Sequence, residues 1–121
     1  MLQAAHAAMY FWKIVGNANN RAHAAQLVAH AYASLKLPKP AQHYLRQSQP
    51  FFLAPDSKPW ELALSHAVAA NVAAAAGESD AHAQHYEKAA RMVSELVDPE
   101  DRDILGATMR VVPAPGSKGV A

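Results

Sequence analysis

Seven histidines are the residues of this chain whose type and spacing could do chemistry. Histidines three or seven residues apart lie on the same side of a helix, and histidines on neighbouring helices can also converge. A zinc site made of histidine alone, or of histidine and glutamate, is therefore geometrically feasible. The pairs that spacing or predicted packing brings together are His82 and His85, His23 and His30, and His43 and His66.

No known motif organises these histidines into a metal or catalytic site. The chain contains neither His-Glu-x-x-His nor Glu-x-x-His, and it lacks a Gly-x-Ser-x-Gly elbow and a glycine-rich phosphate loop. It has no cysteine, which excludes disulfides and thiolate metal sites. We therefore predict a protein that is not an enzyme, with no catalytic residue, no metal ligand and no cofactor. A histidine-based site for a metal or a small molecule is an alternative.

Composition limits the classes of partner. The formal net charge is +1 and the basic residues are scattered, so no nucleic-acid partner is predicted. The most apolar run, residues 62–76, is interrupted by polar side chains and is too short to cross a bilayer, so no membrane partner is predicted. The first residues lack the cationic segment of a secretory signal, and we expect a cytoplasmic location.

The 121 residues fit one domain, and their alanine-rich composition with few aromatics predicts an all-α fold. Apolar periodicity predicts about six helices, and we expect Pro50 to end the third of them because proline lacks a backbone donor. Gly77 is expected to cap the fourth helix, and Asp98 followed by Pro99 to open the sixth. Residues 1–112 are predicted to form the domain, and residues 113–121 a flexible tail. The predicted helices cover residues 2–16, 21–35, 38–49, 59–76, 79–97 and 99–109.

Periodicity also predicts which helix faces are buried. The fourth helix carries a stripe of small residues at helical spacing that would let another helix approach closely. We refer to this set as the small-residue stripe, and it consists of Ala63, Ala67, Ala70 and Ala74. The stripe predicted for the second helix is Ala24, Leu27, Val28, Ala31 and Leu35, and that for the sixth is Ile104, Leu105, Thr108 and Met109.

A short internal repeat suggests how the helices are stacked. The sequence Ala-Gln-His-Tyr at residues 41–44 recurs at residues 83–86, in each case on the second helix of a predicted hairpin. Residues 60–99 resemble a tetratricopeptide (TPR) repeat at Trp60, Leu64, Ala70, Gly77, Tyr86 and Ala89. They depart from it at His82, where the family usually has alanine, and in the offset of 42 residues against the usual repeat of about 34. The resemblance implies antiparallel helical hairpins stacked as a short right-handed superhelix.

The TPR resemblance further implies a scaffold that binds a protein or peptide partner on its concave face. That face would be lined by the first helix of each hairpin, and an alanine-rich groove suits a helical or extended segment. Asn71 could bond a partner backbone, or it could equally satisfy a neighbouring helix or face water. The residues predicted to contact the partner are Ala25, Ala29, Tyr32, His66, Ala67, Asn71 and Ala74.

Three consecutive aromatic residues give a second hypothesis. Tyr10, Phe11 and Trp12 cannot all be buried on one face of a helix, so part of this segment would be exposed. Pairing of two such segments would make a structural homodimer.

Overall fold

The computed structural model describes residue 6 and residues 18–52 and 57–115. These residues contain no strand, so the predicted all-α class is confirmed. The helix predicted at residues 2–16, including Tyr10, Phe11 and Trp12, lies outside the described residues apart from His6. The helices of the described ranges are α1 (Ala18–Ser34), α2 (Pro38–Phe52), α3 (Pro59–Ala76), α4 (Ser79–Ser94) and α5 (Pro99–Val111).

Local capping signals set the end of α3 and the start of α5. Gly77 follows α3 with a φ of 74°, in the left-handed region that glycine adopts without steric cost, and its N–H bonds back to the last turn. The Asp98 carboxylate accepts the N–H of Glu100 at 2.8 Å, and Pro99 occupies the first position of α5. The predicted caps at both places are confirmed.

The prediction that Pro50 ends the third helix is wrong, because α2 continues through it to Phe52. A proline here lacks the N–H that would bond to the carbonyl four residues earlier, and its ring crowds that carbonyl. Phe52, two residues later, is only 1% exposed. Burying a side chain of this size contributes about 1.5–3 kcal/mol, which offsets much of the cost of the proline.

The helices pack around α3. α1 packs most extensively on α2, and α3 on α4, so each pair forms a hairpin joined by a short connection. α3 also contacts α1, α2 and α5, whereas α1 does not pack directly on α4 or α5. Accordingly α3 is buried along most of its length, as expected for a helix that is apolar on all sides.

Three predicted core positions are instead exposed. Leu27 on α1 is 47% exposed and Ile104 on α5 is 56% exposed, and Leu35 lies exposed in the turn that follows α1. Leu105 is buried as predicted, while Thr108 and Met109 are partly buried. Leu27 and Ile104 stay exposed because α1 and α5 flank α3 without touching each other.

Candidate functional site

The face predicted to bind a partner is closed in this structure. Small side chains allow helices to approach until no groove remains between them, and five of the predicted contact residues are buried between helices. Only Tyr32 and Ala74 of the predicted set remain partly exposed. The five buried residues are Ala25, Ala29, His66, Ala67 and Asn71.

Asn71 links α3 to α1. Its side-chain amide donates to Nδ1 of His30 at 3.1 Å and to the hydroxyl of Ser34 at 3.3 Å. Of the two interpretations considered for Asn71, the one in which it satisfies a neighbouring helix is confirmed. Burial lowers the pKa of His30, so this ring is neutral near pH 7. Because Nδ1 accepts from Asn71, the proton of the neutral ring lies on Nε2.

His66 pairs with His85 across the α3–α4 contact, and not with His43. The two Nδ1 atoms are 2.9 Å apart, so one ring donates and the other accepts. Burial, followed by the neighbouring His85 and Lys88, lowers the pKa of His66 to about 4. The pKa of His85 is also lowered, by burial and by Lys88. His43 instead accepts from Gln47 on its own helix, at 3.0 Å.

The remaining histidines also make separate structural contacts. His82 is buried and donates through Nε2 to the Pro113 carbonyl at 2.6 Å, so it does not pair with His85. Nε2 of His6 and the Tyr32 hydroxyl share a hydrogen bond of 2.7 Å, and Tyr32 stacks on Tyr44. Within the part of the chain that the structure describes, no three histidine, aspartate or glutamate side chains converge as metal ligands.

A cavity of about 270 Å³ lies where α1, α3 and α5 surround a space that none of them fills. Each helix contributes one face, because the lining residues follow helical spacing. Leu27 and Ile104 stand at its two flanks, which explains their exposure. We call this space the α1/α3/α5 cavity; it is lined by His23, Gln26, Leu27 and His30, by Trp60, Leu64 and Val68, and by Ile104, Leu105 and Thr108.

A histidine–carboxylate hydrogen bond and an aromatic stack lie beside the cavity. His23 donates through Nε2 to the Glu61 carboxylate at 3.2 Å, and its ring stacks on Trp60 with centroids 5.5 Å apart. The other Glu61 oxygen accepts the Lys58 backbone N–H at 3.0 Å, at the start of α3. Glu61 is therefore held at both oxygens, and it fixes the position of His23.

Gln26 lines the cavity and has one side-chain atom without a partner. It is 2% exposed, and its side-chain carbonyl Oε1 has no hydrogen bond. It is the one fully buried side-chain oxygen or nitrogen without a partner within residues 6, 18–52 and 57–115. Such atoms are rare in folded proteins because the desolvation cost is about 1–3 kcal/mol. Oε1 is itself inaccessible to solvent, so it lies within the wall of the cavity and does not face its open space.

The sequence alone indicates only some of the residues that line this cavity. The prediction that His23 and His30 share one side of a helix is consistent with the cavity, which both residues line. Gln26 was not singled out, although it interrupts an otherwise apolar stretch of α1 between two lining histidines. A buried glutamine is recognisable only once its neighbours are known.

Among the residues that the structure describes, no helix combines the length and the apolarity needed to cross a bilayer. Comparison of the chain with protein-family models, with curated proteins and with solved structures finds no match in any of the three.

Proposed function

We propose that this chain is a non-enzymatic binding module that holds a segment of a partner protein in the α1/α3/α5 cavity. The observation that carries the proposal is the exposure of Leu27 (47%) and Ile104 (56%) on opposite sides of an apolar floor. Large aliphatic side chains that flank a cavity favour association, because covering them removes apolar surface from water.

The size and walls of the cavity suit a single anchoring side chain. Its volume of about 270 Å³ is slightly below the range for ligand pockets, about 300–1,000 Å³. Trp60, Leu64 and Leu105 offer mainly carbon surface there. Binding energy at interfaces is concentrated in a few large side chains that fill such pockets. We expect a leucine or an aromatic residue of the partner to be the anchor.

The polar groups beside the cavity support binding rather than catalysis. His23 is held by Glu61, His30 by Asn71, and the Thr108 hydroxyl by the Ile104 carbonyl of its own helix at 3.3 Å. A TPR-like stacking of hairpins and a cytoplasmic location belong to the same proposal. The two successive hairpins and the cysteine-free sequence support them.

Selection of random peptides displayed on phage tests the proposal. Immobilised wild type would be the target, after depletion on the double variant Leu27→Arg, Ile104→Arg. We expect the selected peptides to share a large apolar residue and to bind the double variant at least about tenfold more weakly than wild type. Affinity can be read from Trp60 in a Trp12→Phe background, since the chain has two tryptophans.

The matched control is the double variant Leu35→Arg, Val111→Arg. These residues are exposed to a similar extent but do not line the cavity. The control should bind the selected peptides as wild type does, and circular dichroism should show the same helix content in both double variants. Equal loss of binding in both variants, or a selection that enriches no peptide, would refute the proposal.

A further inference from the structure

A second cleft lies between α2 and α4, over another face of α3. Both helices pack on α3 but not on each other, and a space of about 290 Å³ remains between them. Each helix contributes side chains at helical spacing, so each forms one wall. We call this space the α2/α3/α4 cleft; its polar lining residues are Gln42, Arg46, Gln49, Glu78 and His85.

The two walls of the cleft carry opposite charges that do not pair with each other. Arg46 on α2 is the one cation of the lining, and Glu78, which immediately precedes α4, is the one anion. Both are exposed, and within residues 6, 18–52 and 57–115 neither side chain has a hydrogen bond or an ion pair. His85 adds no charge near pH 7, because burial and Lys88 lower its pKa. Both charges are therefore available to a ligand.

Two glutamines flank Arg46 on the wall formed by α2. Gln42 precedes Arg46 by four residues and Gln49 follows it by three, so the three side chains lie on one side of the helix. In the described part of the chain both amides lack a hydrogen bond, and Oε1 of Gln26 is the one unpartnered polar side-chain atom that is fully buried. The two amides are therefore accessible to solvent. Together with the guanidinium they form a wall of donors suited to a carboxylate.

The charge balance of the cleft indicates the class of ligand. A purely anionic ligand would lie close to Glu78, and a purely cationic one close to Arg46, so either would meet a like charge. A molecule with one carboxylate and one ammonium group pairs with both walls. The small side chains of Ala69, Val72 and Ala73 form the floor and leave room for its carbon atoms. The volume is slightly below the range of about 300–1,000 Å³ for drug-sized ligands, so the ligand is small.

We infer that the α2/α3/α4 cleft binds a free α-amino acid as its zwitterion. Arg46 pairs with the carboxylate, and Gln42 and Gln49 donate to it from the same wall. Glu78 accepts the ammonium group from the opposite wall. The cleft is separate from the α1/α3/α5 cavity, so this inference goes beyond the proposed function and does not depend on it.

The experiment titrates the isotope-labelled full chain with each of the common L-amino acids at millimolar concentration and follows the side-chain amide signals of Gln42 and Gln49 by NMR. The amino acid that binds best is then compared with two derivatives. Its N-acetyl form lacks the ammonium group, and its α-carboxamide lacks the carboxylate. Dissociation constants of all three molecules are measured for wild type, for the cleft variants and for controls that remove the same charges at exposed positions outside the cleft. The cleft variants are Arg46→Gln and Glu78→Gln, and their controls are Arg102→Gln and Glu87→Gln.

We expect each derivative to bind wild type at least about fivefold more weakly than the parent amino acid. Arg46→Gln should weaken the parent by a similar factor without further weakening the carboxamide. Glu78→Gln should weaken the parent without weakening the N-acetyl form. Both controls should bind as wild type does, and circular dichroism should show the same helix content in all variants.

Three results would overturn the inference. The first is that no amino acid shifts the two glutamine amide signals at millimolar concentration. The second is that the cleft variants and their controls bind the parent amino acid equally well. The third is that a derivative binds as tightly as the parent, which would mean that the cleft recognises a single charge. None of these results would bear on the display selection, which tests the other cavity.

Discussion

α3 has a closed side and an open side, which lie next to each other on the helix. Ala63 belongs to a core cluster with Leu96 and Leu105, and Ala67 and Ala70 are fully buried, so the side that carries the small-residue stripe is closed. On the open side, Trp60, Leu64 and Val68 line a cavity that α1 and α5 border without filling. The same helix thus offers a packed contact along its small residues and an open site along its large ones.

The difference follows from side-chain size and from connectivity. α4 returns along α3 after a two-residue connection, and small side chains let the two backbones come close. α1 and α5 approach α3 from separate parts of the chain and carry bulkier residues, Leu27 and Ile104. Alanine-rich patterning therefore produces much of the interior of this protein, and the large aliphatic residues Leu27 and Ile104 border the α1/α3/α5 cavity.

The largest expected effect tests the closed side. Ala67→Arg would place a charge at a fully buried position of the small-residue stripe, and we expect it to lower the free energy of unfolding by about 3–5 kcal/mol. Ala74→Arg, in the same stripe but partly exposed, should cost less than about 1 kcal/mol. Urea denaturation followed by circular dichroism measures both. Similar tolerance of the two variants would mean that the stripe is an open face.

A smaller effect is expected where α1 joins α3. Asn71→Ala removes both hydrogen bonds from α3 to α1 and leaves Nδ1 of His30 without its donor. We expect a loss of about 2 kcal/mol in the free energy of unfolding, and about 0.5 kcal/mol for the control Ser34→Ala, which loses one long bond at an exposed residue. Nitrogen NMR of the histidines should also show that His30 no longer holds its proton only on Nε2. An unchanged tautomer would contradict the assigned network.

The His66–His85 pair makes the closed side sensitive to pH. The pKa of His66 is about 4 in the folded chain and about 6.5 when unfolded, so between these values the unfolded chain binds more protons. Stability is therefore complete above about pH 6.5 and falls as the pH is lowered towards 4. Since His85 is partly exposed, we expect a loss of about 1–2 kcal/mol between pH 7.5 and 5.0.

Urea denaturation at the two pH values measures this loss. The double variant His66→Gln, His85→Gln should remove most of it, with His30, whose pKa is also lowered, accounting for a remainder. The exposed His43 provides the control, and His43→Gln should keep the wild-type dependence on pH. If the double variant lost as much stability as wild type on acidification, the pair would not be the cause.

Sequence reasoning succeeded where the determining interactions are local. Gly77 and the Asp98–Pro99 start depend on residues within one helical turn, so their types were sufficient to locate the ends of α3 and α5. The prediction that the helix ends at Pro50 failed because the burial of Phe52 depends on the rest of the fold. The TPR-like repeat stays a prediction.

Locating the α1/α3/α5 cavity requires information that the periodicity of the sequence does not contain. The helical spacing of Leu27 and Ile104 indicates an apolar face, but it does not say whether another helix reaches that face. For the same reason Ala25 and Ala29 were predicted to line a groove and are buried instead. The partner of His66 was missed because the register between α3 and α4 decides which of several histidines meets it.

The smallest expected effect on stability concerns Gln26, on the open side. Gln26→Leu replaces a buried, unpaired carbonyl with an apolar group of similar size, so we expect the free energy of unfolding to stay the same or to rise by up to about 1 kcal/mol. Gln84→Leu, at an exposed position of α4, should change it by less than about 0.5 kcal/mol. Urea midpoints of wild type and both variants, measured together, give these differences. A loss above about 1 kcal/mol for Gln26→Leu alone would mean that Oε1 already has a donor in solution.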